Sequence, residues 1–381
     1  MMIESVRAFL VGFPPMGATC WVEIVTSDGI SGIGQSGGWG HPRAVSEIIE
    51  RLEPLLVGQD PRRIEHLWSG MNRALPFRGN LLSSAIAAID TALWDIKGKS
   101  LSVPVWQLLG GLSRDRVRLH CIVRGTTPDT IGEVAKDAAG HGFTAVKFDP
   151  LAHSDDTRSI PQQISAMRDM AAAGRAAVGD DIDLIFDLHR KLDPATAPAF
   201  LEALDEFSPL YIEDPLQIDS IDTQADLGAR STSPLAVGER LSSIWEFRQL
   251  LQRGIPLVLR PDVGLAGGIT YVRKIAALAE SFHCTISPHN FLGPGITAAT
   301  LHLATSIPNL LTMEYQLYDE DPASGAVITS AVREGGYLLP PEAPGLGISI
   351  HPDHGTIAPV TAKPLGWAGL LAGDGSVDNS I

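Results

Sequence analysis

Cysteine is scarce: Cys20, Cys121 and Cys284 are scattered over 381 residues. An odd, dispersed set excludes a disulfide framework and points to a reducing, cytoplasmic setting. Basic side chains are also in deficit, 29 against 44 acidic ones, giving a formal charge of −15. Such an excess repels phosphate backbones and anionic lipid, which argues against nucleic acid and membranes as partners. An anionic substrate would need something local to reverse that field. No apolar run reaches the roughly 18 residues of a membrane span. The opening MMIESVRAFLVGFPP has no basic region followed by an uncharged apolar core, so it does not read as an export signal. Charged residues make up only 19% of the chain and hydrophobic ones 44%. That balance excludes disorder as the main state and requires a large buried core, at a length of more than one minimal domain and fewer than three.

Phosphate-cradling glycine loops are missing too. No G-x-G-x-x-G follows a first strand and no Walker loop appears, which removes the main support for a doubly wound open sheet. What is present begins as antiparallel sheet, with CWVEIVT and ISGIGQS flanking the turn dipeptide Asp28-Gly29. From Ser83 to Lys97 the apolar positions Ile86, Ile89, Leu93 and Ile96 follow helical spacing, and Gly98 stands as a stop. Beyond LGGLSRDR, eight short β-rich runs alternate with helical segments: VRLHCIV, TAVKF, DLIFD, LYIED, LAVGE, PLVLR, CTISP and LLTME. Runs apolar on both faces and separated by room for a helix are the pattern of parallel strands, and eight such units close a (β/α)8 barrel. The fold expected is α/β: an α+β capping domain over residues 1–115, a TIM-type barrel over 116–349, and a Gly- and Pro-rich tail with Trp367, about 350–381, that completes the cap.

Chemistry in such barrels sits where strands end. Asp187, Glu213 and Glu239 end the third, fourth and fifth runs at equal separations of 26 residues. Three carboxylates at one mouth repel unless a cation neutralises them, and an all-oxygen set without cysteine favours Mg²⁺ over zinc. The plainer alternative is that each acid caps the next helix or pairs with a nearby base such as Arg240. Lys147 and Asp149 share one face at the end of the second run. Glu314 ends the eighth. Asp262 and His289 fall at neighbouring strand ends, which allows a carboxylate to hold one imidazole nitrogen while the other acts as a general base. His189 lies four strands from His289, so one histidine can remove a proton while the other supplies one. His41, His66, His141, His153, His283 and His302 are read as incidental.

Taken together, AAIDTALWDIKGK, GFTAVKFDP, DLH, YIEDP, VGERL, RPDVGLAGGIT, SPHNFLGP, MEY and PGLGISI resemble the enolase superfamily, its mandelate racemase subgroup, and within it the acid-sugar dehydratases of the galactonate and gluconate type. The resemblance covers nearly the whole chain. It implies Mg²⁺ held by Asp187, Glu213 and Glu239, a base dyad of Asp262 and His289, a leaving-group acid in His189, and a substrate-side role for Glu314. It also implies a small sugar-acid substrate and assembly into homo-oligomers, often octamers. Racemases of the subgroup carry Lys-x-Lys on the second strand, whereas here the second lysine position is Asp149. That leaves Lys147 to place positive charge beside the substrate carboxylate or the metal ligands, and Asp149 to contact substrate. The loops near Phe13 to Thr19 and Gly37 to His41, with Trp39 and His41, are candidates to contact distal hydroxyls. Epimerisation or cycloisomerisation through the same enolate is the nearest alternative, and a non-catalytic binding or scaffold barrel is the alternative of another class.

Overall fold

The computed structural model describes residues 1–13, 17–152, 158–218, 220–254, 257–320, 325–361 and Val377. Strands β1 (Ile3–Phe13), β2 (Gly17–Thr26) and β3 (Ser31–Gln35) form an antiparallel sheet in that order. Asp28-Gly29 lies in the reversal between β2 and β3, where Gly29 takes the positive φ of 80° that favours glycine. Helices α1 (Pro42–Leu56), α2 (Ile64–Ala74) and α3 (Asn80–Leu101) follow. α3 is apolar nearly all round because it is buried against both the sheet and a barrel helix.

Gly98 does not stop α3, contrary to the sequence expectation. The helix runs on to Leu101 and ends at Ser102, whose φ of 56° turns the chain while its N–H caps the carbonyls of Gly98 and Lys99. Gly98 is instead a point of close approach: a Cβ there would lie 2.7 Å from the Cα of Gly345. The segment after Gly345 lies along the cap, with Leu346 N–H on Asp95 Oδ1 at 2.8 Å and Gly12 N–H on the Ala358 carbonyl at 2.9 Å. Trp367 and the rest of the tail beyond residue 361, Val377 excepted, lie outside the described residues.

After the short helix α4 (Val105–Leu108), eight strands build the barrel: β4 (Val117–Ile122), β5 (Ala145–Phe148), β6 (Asp183–Asp187), β7 (Tyr211–Glu213), β8 (Leu235–Val237), β9 (Leu257–Leu259), β10 (Thr285–Ile286) and β11 (Met313–Tyr315). Helices α5 (Pro128–Gly140), α6 (Ile160–Val178), α7 (Ala197–Asp205), α8 (Ile221–Gly228), α9 (Ile244–Gln252), α10 (Gly268–Glu280) and α11 (Pro294–Ser306) alternate with them. Neighbouring strands pair in parallel from β4 to β10. β11 pairs with β4, and the Ile286–Leu310 bridge closes the ring. Phe186, Ile212, Leu235 and Leu259 join the main core, whereas Ile185, Tyr211, Ala236 and Val258 form a separate small cluster. Among the described residues no helix is long and apolar enough to cross a membrane.

The cap is fastened to the helix that follows the sixth barrel strand. Trp68 Nε1 donates to the Gly267 carbonyl at 2.7 Å, Trp94 Nε1 to Thr270 Oγ1 at 2.8 Å, and Thr270 N–H to buried Asp90 at 3.0 Å. Nearby, Gly37 N–H reaches the Gly264 carbonyl at 2.8 Å. Glycine is needed at Gly37, since a Cβ would come within 2.7 Å of the Gly264 carbonyl carbon. Loop 36–40 of the cap is thereby held beside Asp262.

Candidate active site

His289 Nδ1 lies 2.6 Å from Asp262 Oδ2, across a parallel bridge between the two residues. Asp262 is fixed in turn, because its Oδ1 accepts the N–H groups of Gly264 at 2.7 Å and Leu265 at 3.1 Å. His289 Nε2 faces the mouth, 3.6 Å from Glu239 Oε2 and 3.9 Å from Glu314 Oε1. Burial disfavours the imidazolium, but Glu239, Glu314 and Asp262 together outweigh it and carry the ring up to about 9.

The opposite side holds a second pair. His189 Nδ1 lies 2.9 Å from Asp149 Oδ2, and its Nε2 is 3.4 Å from Asp187 Oδ2. His189 and Arg190 both have positive φ, 47° and 64°, an unusual conformation for side chains of this size. Successive left-handed residues send the histidine toward β5 and the arginine the other way, to Asp214 Oδ2 at 2.7 Å and Glu239 Oε1 at 2.6 Å. His189 is raised above its ordinary value, since Asp187 and Asp149 overcome the cost of burial.

Between the pairs lies a buried ionic cluster. Lys147 Nζ contacts Asp187 Oδ2 at 3.0 Å and both Glu213 oxygens at 3.1 Å, and also pairs with Glu314. Arg260, fully buried, binds Glu213 Oε1 at 2.7 Å and Glu314, with its guanidinium over the Tyr211 ring. Glu314 also accepts the Asn290 N–H at 2.9 Å, so it is pinned from several directions. Burial pushes Glu213 up to about 8, Asp187 and Glu314 adding to the rise against Arg260 and Lys147. Burial also opposes ionisation of Glu239, yet His289 and Arg190 hold it well below the usual carboxylate range.

Asp187 and Glu213 sit in direct register on β6 and β7, while Glu239 lies two residues past the end of β8. Of the three expected metal ligands, Asp187 and Glu213 stand side by side. Lys147 bridges Asp187 and Glu213, while Arg190 draws Glu239 toward Asp214; among the described residues no three His, Cys, Asp or Glu side chains stand together as a metal cage. The donor chemistry nevertheless suits a hard divalent ion. The five carboxylates Asp187, Glu213, Glu239, Glu314 and Asp214 outnumber the three basic side chains paired with them, Lys147, Arg190 and Arg260. Glu239 pairs closely with Arg190 rather than Arg240, whose Nε is 4.0 Å away.

Asp149 is turned to His189 and Lys191, which both reach its Oδ2. His41 is exposed at the N-terminus of α1 and makes no side-chain cap. The Trp39 ring meets Phe291 edge-on at 5.9 Å, and Phe291 lies 4.9 Å from the His289 ring. Residues 14–16 of the first cap loop lie outside the described residues, as does His153. Sequence reasoning missed Arg190, Lys191, Asp214, Arg260 and His120. The first two adjoin His189, and Arg260 ends its strand, but their partners come from other strands. His120 is wholly buried 3.5 Å from Glu314, and burial lowers it to about 4.

Fold and site define a capped (β/α)8 barrel with two histidine–aspartate pairs and a buried ionic cluster at its mouth. Residues 130–354 match the enolase C-terminal domain-like family, and residues 17–110 match the N-terminal domain of the mandelate racemase / muconate lactonizing enzyme family. The chain therefore belongs to the enolase superfamily, in its mandelate racemase / muconate lactonizing enzyme family. It is 37% identical over 341 residues to a D-galactonate dehydratase of Ralstonia nicotianae, covering 87% of this chain and 88% of that one. It is 36% identical over 347 residues to a D-galactonate dehydratase of Klebsiella pneumoniae, covering 87% and 89%. A crystal structure of an enolase from Agrobacterium radiobacter, with bound sodium and L-malate, superposes with a TM-score of 0.89 at 30% identity, covering 99% of this chain and all of that one.

Proposed function

We propose that the protein is a Mg²⁺-dependent sugar-acid dehydratase that converts an aldonate or aldarate to the 2-keto-3-deoxy acid. The observation that carries this reading is the pair of histidine–aspartate dyads on opposite sides of the barrel mouth, four strands apart. Dehydration needs one base and one acid. The likeness to D-galactonate dehydratases supports the reaction class and makes D-galactonate the first substrate to try.

In its neutral form His289 takes the C2 proton on Nε2, while Asp262 keeps Nδ1 protonated and the ring in place. His189 Nε2 gives a proton to the C3 hydroxyl. The C3–O bond breaks, water leaves, and the electron pair from C2 closes the C2–C3 double bond. The enol that results tautomerises to the keto acid. Asp187, Glu213 and Glu239 would hold Mg²⁺, which supplies positive charge against the negative charge that proton removal builds on the substrate carboxylate. Lys147, buried among three carboxylates and held protonated by them, contributes to the same field. Arg260 and Asn290 fix Glu314 so that the floor of the site does not rearrange as charge develops. Trp39 and Phe291 wall the base side and restrict water there.

The test is incubation with Mg²⁺ and a panel of aldonates and aldarates, D-galactonate first, with colorimetric assay of 2-keto-3-deoxy acid and NMR in D₂O. Turnover to that product supports the reading. C2 inversion without loss of water, or no reaction with any member, overturns it.

A further inference from the structure

The acid side of the mouth repeats the construction of the base side with different parts. In both, a carboxylate from one strand end meets Nδ1 of a histidine at the next, 2.6 Å for Asp262–His289 and 2.9 Å for Asp149–His189, and Nε2 faces inward. In both, the carboxylate is anchored before it reaches the ring. Asp262 is held by two backbone N–H groups. Asp149 accepts the Leu151 N–H on Oδ1 at 2.7 Å and the Lys191 ammonium on Oδ2 at 2.7 Å, and Lys191 also donates to the Leu151 carbonyl at 2.8 Å. The need for such an anchor is greater here. The His189 side chain is 45% exposed and rises from a left-handed backbone, so packing alone does not fix its ring.

We propose that Asp149, itself locked by Lys191, is the positioning residue of His189, holding Nδ1–H so that Nε2 presents its proton to the departing hydroxyl. This rests on the reading of His189 as the leaving-group acid. A truncated or neutral residue at Asp149 leaves the ring free to rotate or to take the other tautomer, and the elimination step slows. Removal of the C2 proton, which belongs to His289, continues.

Asp149→Asn, Lys191→Met and His189→Asn are compared with the wild type on D-galactonate or, where it is not turned over, on the panel member turned over fastest. Asp149→Asn should lower kcat for dehydration by about 10²-fold, within the range for loss of a general acid or its orienting partner. KM should stay within about threefold, because the groups that bind the carboxylate are untouched. Lys191→Met should lower kcat by about tenfold. In D₂O, Asp149→Asn should exchange the C2 proton of recovered substrate, which also shows that the variant is folded. Asp149→Asn with wild-type kcat while His189→Asn is impaired overturns the positioning role and leaves the acid assignment standing. Wild-type dehydration by His189→Asn overturns the acid assignment itself. Loss of C2 exchange together with dehydration in Asp149→Asn also overturns the proposal, since the residue would then act on the whole site.

Discussion

The two histidine–aspartate pairs are alike in bonding and unlike in setting. His289 and Asp262 have side chains 12% and 3% exposed, tied to a backbone turn that the capping domain holds from outside. His189 and Asp149 are 45% and 14% exposed, on a left-handed stretch beside a lysine. A base that must abstract a weakly acidic proton gains from a dry, rigid site, whereas an acid that releases water needs access to solvent. The difference in burial matches the tasks proposed for the two histidines.

The largest expected break in that comparison is on the buried side. His289→Asn should lower dehydration by about 10⁴-fold and stop C2 exchange, read by product assay and deuterium incorporation. Neutralising the carboxylate cluster should come next. Glu213→Gln, or chelation of the wild type, should cost on the order of 10³-fold, and calorimetric titration of the Glu213→Gln apoprotein with Mg²⁺ should show weakened binding. His189→Asn should cost about 10²-fold in kcat. Trp39→Ala, which opens the wall beside His289, should raise KM by about fivefold with a smaller change in kcat, as expected for lost ground-state contact.

A separate effect lies away from both pairs and concerns stability. His302 is buried, accepts the Trp106 N–H at 3.2 Å, and is lowered by burial to about 4. Its folded-state value lies below the ordinary one, so its contribution is complete above pH 6.5 and is lost as pH falls toward 4, up to on the order of 3 kcal/mol. His302→Asn should therefore narrow the drop in Tm between pH 7 and pH 4.5. An undiminished drop would place the acid sensitivity elsewhere.

How much of this could be read from the sequence depended on whether the signal was local. The eight strands and their terminal carboxylates were legible because period and spacing are properties of contiguous residues. Asp262 with His289 was legible because adjacent parallel strand ends bring such residues together. Arg190 holding Glu239, Arg260 under Glu213 and Glu314, and Asp149 turned to His189 were not. Each depends on cross-strand side-chain geometry, and Arg190 also on a backbone reversal that no propensity announces. Gly98 misled for the same reason: its role is set by a segment nearly 250 residues away.

The proposed mechanism divides base and acid between separate groups on opposite sides of one mouth. It is tested most directly by ¹H NMR of a sugar-acid substrate in D₂O with the two histidine variants side by side. His189→Asn should wash out the C2 proton much faster than it forms keto acid, while His289→Asn should do neither at an appreciable rate. Elimination by His289→Asn at a rate near wild type, or failure of both variants to exchange C2 while the folded His189→Asn still binds substrate, would contradict it.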